Sequence, residues 1–132
     1  MIDDLCVLVC TYKRPYLIEG LLKSWMKTNC NTTNNIAIAE NSPEDDVSMY
    51  LDSVGVSHAR SAGRSHPDGL TYGMQHITQR YVLIVDSDVL FYGSVADDIL
   101  GFISSGCTIG GEYCYTRGGY DSPTYPSLVL PS

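Results

Sequence analysis

Short apolar runs alternate along this chain with stretches whose apolar residues recur at helical spacing. Leu5 to Thr11 is a continuous β-prone run, the pattern of a strand buried on both faces. Pro15 then stands at the tolerated first position of a helix, and Leu17, Ile18, Leu21, Leu22 and Trp25 lay one apolar stripe along it. Asparagine-rich residues 29–35 end that helix, and Ile36 to Ala39 makes a second, shorter strand. Ser42-Pro43-Glu44-Asp45 reads as the capped start of a helix reaching about Ser53, and Val54 to His58 as a weak third strand. A loop over Ser65 to Asp68 leads into a helix carrying Leu70, Met74 and Ile77. Tyr81 to Val85 is the strongest strand pattern in the chain. Ser94, with Asp97 three residues on, opens a helix to about Ser105, and Cys107 to Gly110 begins another strand. After Gly111 the composition changes: Tyr113, Tyr115, Tyr120 and Tyr125 sit among glycines and prolines, which predicts loops and short hairpins rather than another strand-helix unit.

Strand-helix alternation predicts an α/β fold, a mostly parallel sheet with helices on both faces, because parallel neighbours need right-handed crossovers. A length of 132 residues fits one domain, with residues 1–112 as its core and 113–132 as an irregular tail of the same domain. Fifteen acids against eight bases give a net charge of −7, and the bases are isolated except for Lys13-Arg14. That balance disfavours a nucleic-acid partner. An anionic small molecule would need a metal ion or a nest of N–H groups to offset the acidity. The apolar runs are about five to seven residues long, against the roughly 20 that span a bilayer, so no transmembrane segment is expected. Asp3 and Asp4 stand where a signal peptide would carry positive charge. Five cysteines without a C-x-x-C pair read as reduced, buried small hydrophobes, and the expected compartment is the cytoplasm.

In sheets of this kind ligands bind beyond the carboxyl ends of the strands, so the polar residues at strand ends are the candidates. Asp86-Ser87-Asp88 follows the strongest strand. In extended chain alternate side chains share one side, so the two carboxylates could hold Mg²⁺ or Mn²⁺ with positions left for water and phosphate; the alternative is a solvated turn. Thr11-Tyr12-Lys13-Arg14 follows the first strand. There Tyr12 could stack on a nucleobase and Arg14 pair with a diphosphate, or the ring could cap the core and the guanidinium be solvated. Glu40, ending the second strand, could accept a base N–H, cap a helix or simply be exposed. Arg64 and Asp68 could reach phosphate and ribose, or be surface charge.

Taken in order, strand, T-Y-K-R-P, strand ending in an acid, basic loop, helix and Y-V-L-I-V-D-S-D-V, the chain resembles the nucleotide-binding half of GT-A-fold glycosyltransferases of the family 2 type over roughly residues 4–112. The resemblance implies a nucleotide-sugar donor, UDP-linked by preference, bound with Mn²⁺ or Mg²⁺. It places Thr11 and Tyr12 beside the base, Glu40 on the base and Arg64 near the diphosphate; Arg14, Asp68 and Ser87 complete the expected nucleotide-binding set. Asp86 faces the ribose and, with Asp88, the metal, whose Lewis acidity would neutralise the leaving diphosphate. The acceptor, a sugar, lipid or protein, is left open. The implied activity is transfer of a hexose, by inversion. The family's catalytic base comes well after the D-x-D, and here only Glu112 and Asp121 remain as acids in the tail. A shortened module that binds donor without efficient transfer is therefore the alternative. The tyrosine-rich tail could serve pairing between copies of the chain.

Overall fold

The structure is a computed structural model that describes residues 2–61 and 65–106, together with the strand backbones of residues 110–111, 114–115, 121–122 and 127–131. After a 3₁₀ turn over Ile2–Asp4 come β1 (Leu5–Thr11), α1 (Pro15–Thr28), β2 (Ile36–Glu40), α2 (Asp46–Val54), β3 (His58–Arg60), α3 (His66–Met74), β4 (Tyr81–Asp86) and α4 (Val95–Ser104). The strand pieces β5 (Gly110–Gly111), β6 (Cys114–Tyr115), β7 (Asp121–Ser122) and β8 (Ser127–Pro131) follow. Strands β6 and β7 pair as a small antiparallel ladder of their own.

The main sheet runs in the order β3-β2-β1-β4-β8-β5. Strands β1 to β4 are parallel, and β8 runs antiparallel between β4 and β5. Helix-joined strands progress outward from β1 to β3, and the chain then crosses back to place β4 on the other side of β1. The switch point of the topology is thus the gap between β1 and β4, where the register sets Cys10 beside Asp86.

Every residue of β1 is buried, as its unbroken apolar run predicts. Alternate side chains supply two cores. Val7, Val9, Ile36, Ile38, Leu83 and Val85 face Ile18, Leu21 and Trp25 of α1, Val47 and Leu51 of α2, and Ile99 of α4. On the opposite face Leu8, Cys10, Ala39 and Val82 meet Leu70, Met74 and Ile77 from α3 and the turn after it. Helices cover both faces, as expected.

Helix α3 lies close to the sheet because it carries glycine where it touches. A Cβ on Gly69 would lie 2.7 Å from Cys10 Sγ, and one on Gly73 would lie 2.8 Å from Leu8 Cδ1 and 3.1 Å from Ala39 Cβ. Opposite α3, Asn29 fastens the segment after β4: its amide donates to Gly93 O at 3.0 Å and its Oδ1 accepts from Ala96 N at 2.9 Å. Phe91 closes edge-on against Trp25, with ring centroids 5.1 Å apart.

Several boundaries differ from the sequence pattern. Helix α2 starts at Asp46 rather than Ser42, because residues 42–45 form a loop tied down by Arg60. Strand β3 is His58–Arg60, whereas Val56 turns into the core below it. Leu17, counted in the stripe of α1, faces the cleft described below rather than the core. Ser94 does stand at the N-cap of α4, but its hydroxyl donates to the Asp97 carboxylate at 2.6 Å instead of accepting a backbone N–H. Strand β8 has no counterpart in the sequence reading. Among the described residues no helix is long and apolar enough to cross a membrane.

Candidate functional site

Beyond the carboxyl ends of β1 and β4 lies an open cleft of about 600 Å³. Six residues singled out from the sequence line it: Thr11, Tyr12, Arg14, Asp86, Ser87 and Asp88. Cys10, Lys13, Leu17, Asn41 and His66 complete the lining. Asn41 and Lys13 carry the signal that identified their neighbours, a position just past a strand end. Leu17 and Cys10 carry none, since an apolar wall residue and a core residue look alike in sequence.

The β1 wall is built by an unusual bend. Thr11 ends the strand buried, 1% exposed, and its hydroxyl has no hydrogen-bond partner among the described residues. Its carbonyl accepts Asn41 N–H at 2.9 Å, which ties the ends of β1 and β2 together. Lys13 and Arg14 then both adopt φ of 57°, the left-handed region that side chains with a Cβ avoid. Each such residue costs about 1–2 kcal/mol unless its surroundings fix it. Here Lys13 N–H donates to Ser42 Oγ at 2.6 Å, and Leu17 N–H donates to Arg14 O at 3.1 Å as α1 begins. The bend throws Tyr12 out to 57% exposure, with the Lys13 ammonium 5.3 Å from its ring centroid. Glu44, 3.4 Å from Lys13 Nζ, raises the Lys13 pKa above its ordinary value and keeps the side chain charged.

On the β4 wall the extended-chain argument gives way to a turn: Val89 N–H donates to Asp86 O at 3.3 Å, and Ser87 and Asp88 occupy its corner. Both carboxylates nevertheless border the cleft, and both are exposed. Neither these two nor the Arg14 guanidinium has an ion pair or side-chain hydrogen bond among the described residues. Two anionic groups and one cationic group therefore share one cleft uncommitted. Cys10, beside Asp86 in register, is a buried thiol pushed up to about 11, first by burial and then by the charge of Glu40, so it stays protonated at neutral pH.

The other candidates lie elsewhere. Glu40 is fully buried on the α2 side of the sheet: Oε1 accepts Ser42 N–H at 2.6 Å, Oε2 accepts Ser48 Oγ–H at 2.9 Å, and Arg60 Nε lies 3.5 Å away. Its carboxylate is thus not exposed, and its bonds go to the 42–45 loop and the Ser48 side chain rather than to the backbone N–H groups that open α2. Asp68 is exposed in the first turn of α3, where its N–H donates to Ser65 Oγ at 3.3 Å, and it does not border the cleft. Arg64 and Glu112 lie outside the described residues, as does the side chain of Asp121.

Two exposed carboxylates with free oxygens suit a hard divalent cation that keeps water and takes phosphate oxygens as its remaining ligands. No group of three or more His, Cys, Asp or Glu that could hold a metal exists among the described residues, so a cation here would depend on its ligand for the rest of its shell.

No protein-family profile matches the sequence, and no curated protein does. Solved structures match the fold. Pyrobaculum calidifontis mannosyltransferase PcManGT, in complex with GDP-Man and Mn²⁺, aligns at TM-score 0.73 and 14% identity over 97% of this chain and 44% of its own. S. aureus TarS 1–349 in complex with UDP-GlcNAc aligns at 0.64 and 18% identity, over 91% of this chain and 37% of its own. A Bacillus anthracis chain assigned as a glucose-1-phosphate thymidylyltransferase aligns at 0.64 and 10% identity, over 96% of this chain and 71% of its own. The chain thus spans less than half the length of the two glycosyltransferases. At these identities the likeness establishes the fold, which is GT-A-like.

Proposed function

We propose that this chain binds a nucleoside-diphosphate sugar, with uridine as the base, in the cleft between β1 and β4 and supports transfer of the sugar to an acceptor. The carrying observation is the set of uncommitted charges at the topological switch point: Asp86 and Asp88 on one wall, Arg14 on the other. Tyr12 offers an exposed ring for stacking on the base, and the Thr11 hydroxyl beside it, without a partner among the described residues, offers a hydrogen bond to a ligand. Arg14 pairs with the diphosphate in a charge-assisted contact. Asp86 and Asp88 hold Mn²⁺ or Mg²⁺. When bound, such a cation neutralises the charge that builds on the departing diphosphate. In the reaction the bond from the anomeric carbon to the diphosphate oxygen breaks, and a bond from that carbon to an acceptor oxygen forms. UDP-GlcNAc in TarS and GDP-Man with Mn²⁺ in PcManGT support this donor class and metal. Nucleotidyl transfer, the activity assigned to the B. anthracis neighbour, is set below it, because Thr11 to Pro15 contains no glycine to cradle an attacked phosphate. The free thiols of Cys6, Cys10 and Cys30 support a reducing compartment such as the cytoplasm.

The test is calorimetric titration of UDP, GDP, dTDP and CDP, and of their sugars, with Mn²⁺ and with chelator. UDP binding that requires the cation, and that Asp88→Asn weakens at least tenfold without unfolding the chain, is the expected result. Binding of equal strength in chelator would refute it.

A second reading is supported by the cleft itself. Its only acids among the described residues are Asp86 and Asp88, both assigned to the cation, so no carboxylate there is left to deprotonate an acceptor. Under that reading the chain binds the same donor but transfers nothing, with at most slow donor hydrolysis. Turnover onto any acceptor in a product assay by mass spectrometry removes it.

A further inference from the structure

We infer that Ser42, set in place by Glu40, is a positioning residue for the cleft: it holds Lys13 and Arg14 in the left-handed bend that presents Tyr12 and Arg14 to the ligand. The inference rests on the donor reading of the cleft, and it gives the buried acid at the end of β2 a role away from the ligand.

The contacts form one connected line. Arg60 Nε stands 3.5 Å from Glu40 Oε2, and Ser48 Oγ–H donates to the same oxygen at 2.9 Å. The opposite oxygen, Oε1, accepts Ser42 N–H at 2.6 Å. Ser42 is fully buried, so its hydroxyl is fixed where it accepts Lys13 N–H at 2.6 Å across 29 residues of sequence. Arg60 also anchors the far end of the 42–45 loop through Pro43 O at 3.1 Å, Glu44 O at 2.8 Å and the Asp45 carboxylate. The backbone of Ser42 is thus held at its N–H by a carboxylate and at the carbonyls of its loop by a guanidinium, which sets the position of the hydroxyl.

Two consecutive residues with Cβ atoms at φ of 57° do not persist on intrinsic preference. The Lys13 N–H bond to Ser42 is the long-range contact on the backbone of this bend. Were the bend to relax toward ordinary φ, the chain direction between Tyr12 and Arg14 would change and both side chains would leave the cleft wall. Glycine takes the left-handed region at no steric cost. A glycine at position 13 should therefore make the Ser42 hydroxyl dispensable, which no purely structural role of Ser42 in the loop before α2 would do.

The experiment is a double-mutant cycle with Ser42→Ala, Lys13→Gly and the double variant, read by UDP affinity in Mn²⁺ and by urea unfolding. Ser42→Ala is expected to weaken UDP about tenfold in the native background and less than twofold where residue 13 is glycine, the scale of one hydrogen bond. Unfolding should show the same coupling, with the Ser42→Ala effect on the folding equilibrium shrinking about tenfold to less than twofold. Equal effects of Ser42→Ala in both backgrounds overturn the inference. If Ser42→Ala is too unstable to purify, recovery of a folded double variant supports it, and failure of the double variant to fold overturns it. Should wild-type protein bind no UDP, the donor reading fails, and the unfolding cycle decides the positioning role by itself.

Discussion

Replacing Gly69 by alanine sets two effects of known size against each other. In an unobstructed helix interior, glycine to alanine gains about 0.8–1.0 kcal/mol of helix propensity. Gly101 in α4 is such a site, since a Cβ there meets nothing within 4 Å. At Gly69 the added Cβ would lie 2.7 Å from Cys10 Sγ, a distance that real contacts do not tolerate. The obstructing sulfur has one side-chain torsion and hangs from a fully buried strand, so relief requires α3 and β1 to separate. Overpacking of this kind costs about 1–3 kcal/mol. The net expectation is a loss of about 1 kcal/mol at Gly69 and a gain of about 0.8 kcal/mol at Gly101. For a domain of this length each kcal/mol moves Tm by roughly 3–4 °C. Thermal and urea unfolding followed by circular dichroism should thus place the two variants on opposite sides of wild type. Because Cys10 and Asn41 both border the cleft, Gly69→Ala should also weaken ligand binding, whereas Gly101→Ala should leave it alone. A Gly69→Ala protein as stable as Gly101→Ala would refute the argument that glycine there exists to let the helix approach.

Other outcomes follow from the same geometry. Asn29→Ala removes both bonds that fasten residues 93–96 to α1 and should cost about 1–3 kcal/mol in denaturant unfolding. Phe91→Ala, which empties the pocket against Trp25, should cost more, about 3–5 kcal/mol. Burial raises the Cys6 and Cys10 thiols from about 9 to about 11. Their folded pKa values exceed the unfolded ones, so this contribution to stability is complete below about pH 9 and is lost as pH climbs toward about 11. Urea midpoints measured from pH 8 to 11 should fall across that window, and Cys6→Ala/Cys10→Ala protein should show a shallower fall. Arg14→Ala should weaken diphosphate binding while leaving Tm nearly unchanged, because its guanidinium has no ion pair among the described residues to lose.

What the sequence disclosed and what it hid divide along a physical line. Unbroken apolar runs revealed β1 and β4 because a strand covered on both faces has no polar alternation to blur it. The cleft residues past those strands were legible for the same reason, since a polar cluster directly after a buried run has only the sheet edge to occupy. Glu40 passed the same positional test yet is turned inward. Its direction depends on Ser42, Ser48 and Arg60, partners up to 20 residues away that no local pattern links. The left-handed bend at Lys13 and Arg14 was invisible because neither residue is one that usually signals positive φ. Strand β8, near the end of a segment rich in turn formers, is defined by its partner β4 rather than by any alternation of its own.

The placement of β8 bears on how the molecule is made. Synthesis proceeds from the amino end, so β4 emerges from the ribosome more than 40 residues before the strand that covers its outer edge. For that interval the row of open amide and carbonyl groups along Tyr81–Asp86 is available to any extended peptide nearby. Strand β5 is in the same position, because its ladder is with β8 and not with β4. Closure of the sheet thus waits for Ser127–Pro131, and a holdase that shields β4 until that strand arrives would raise the yield of native protein.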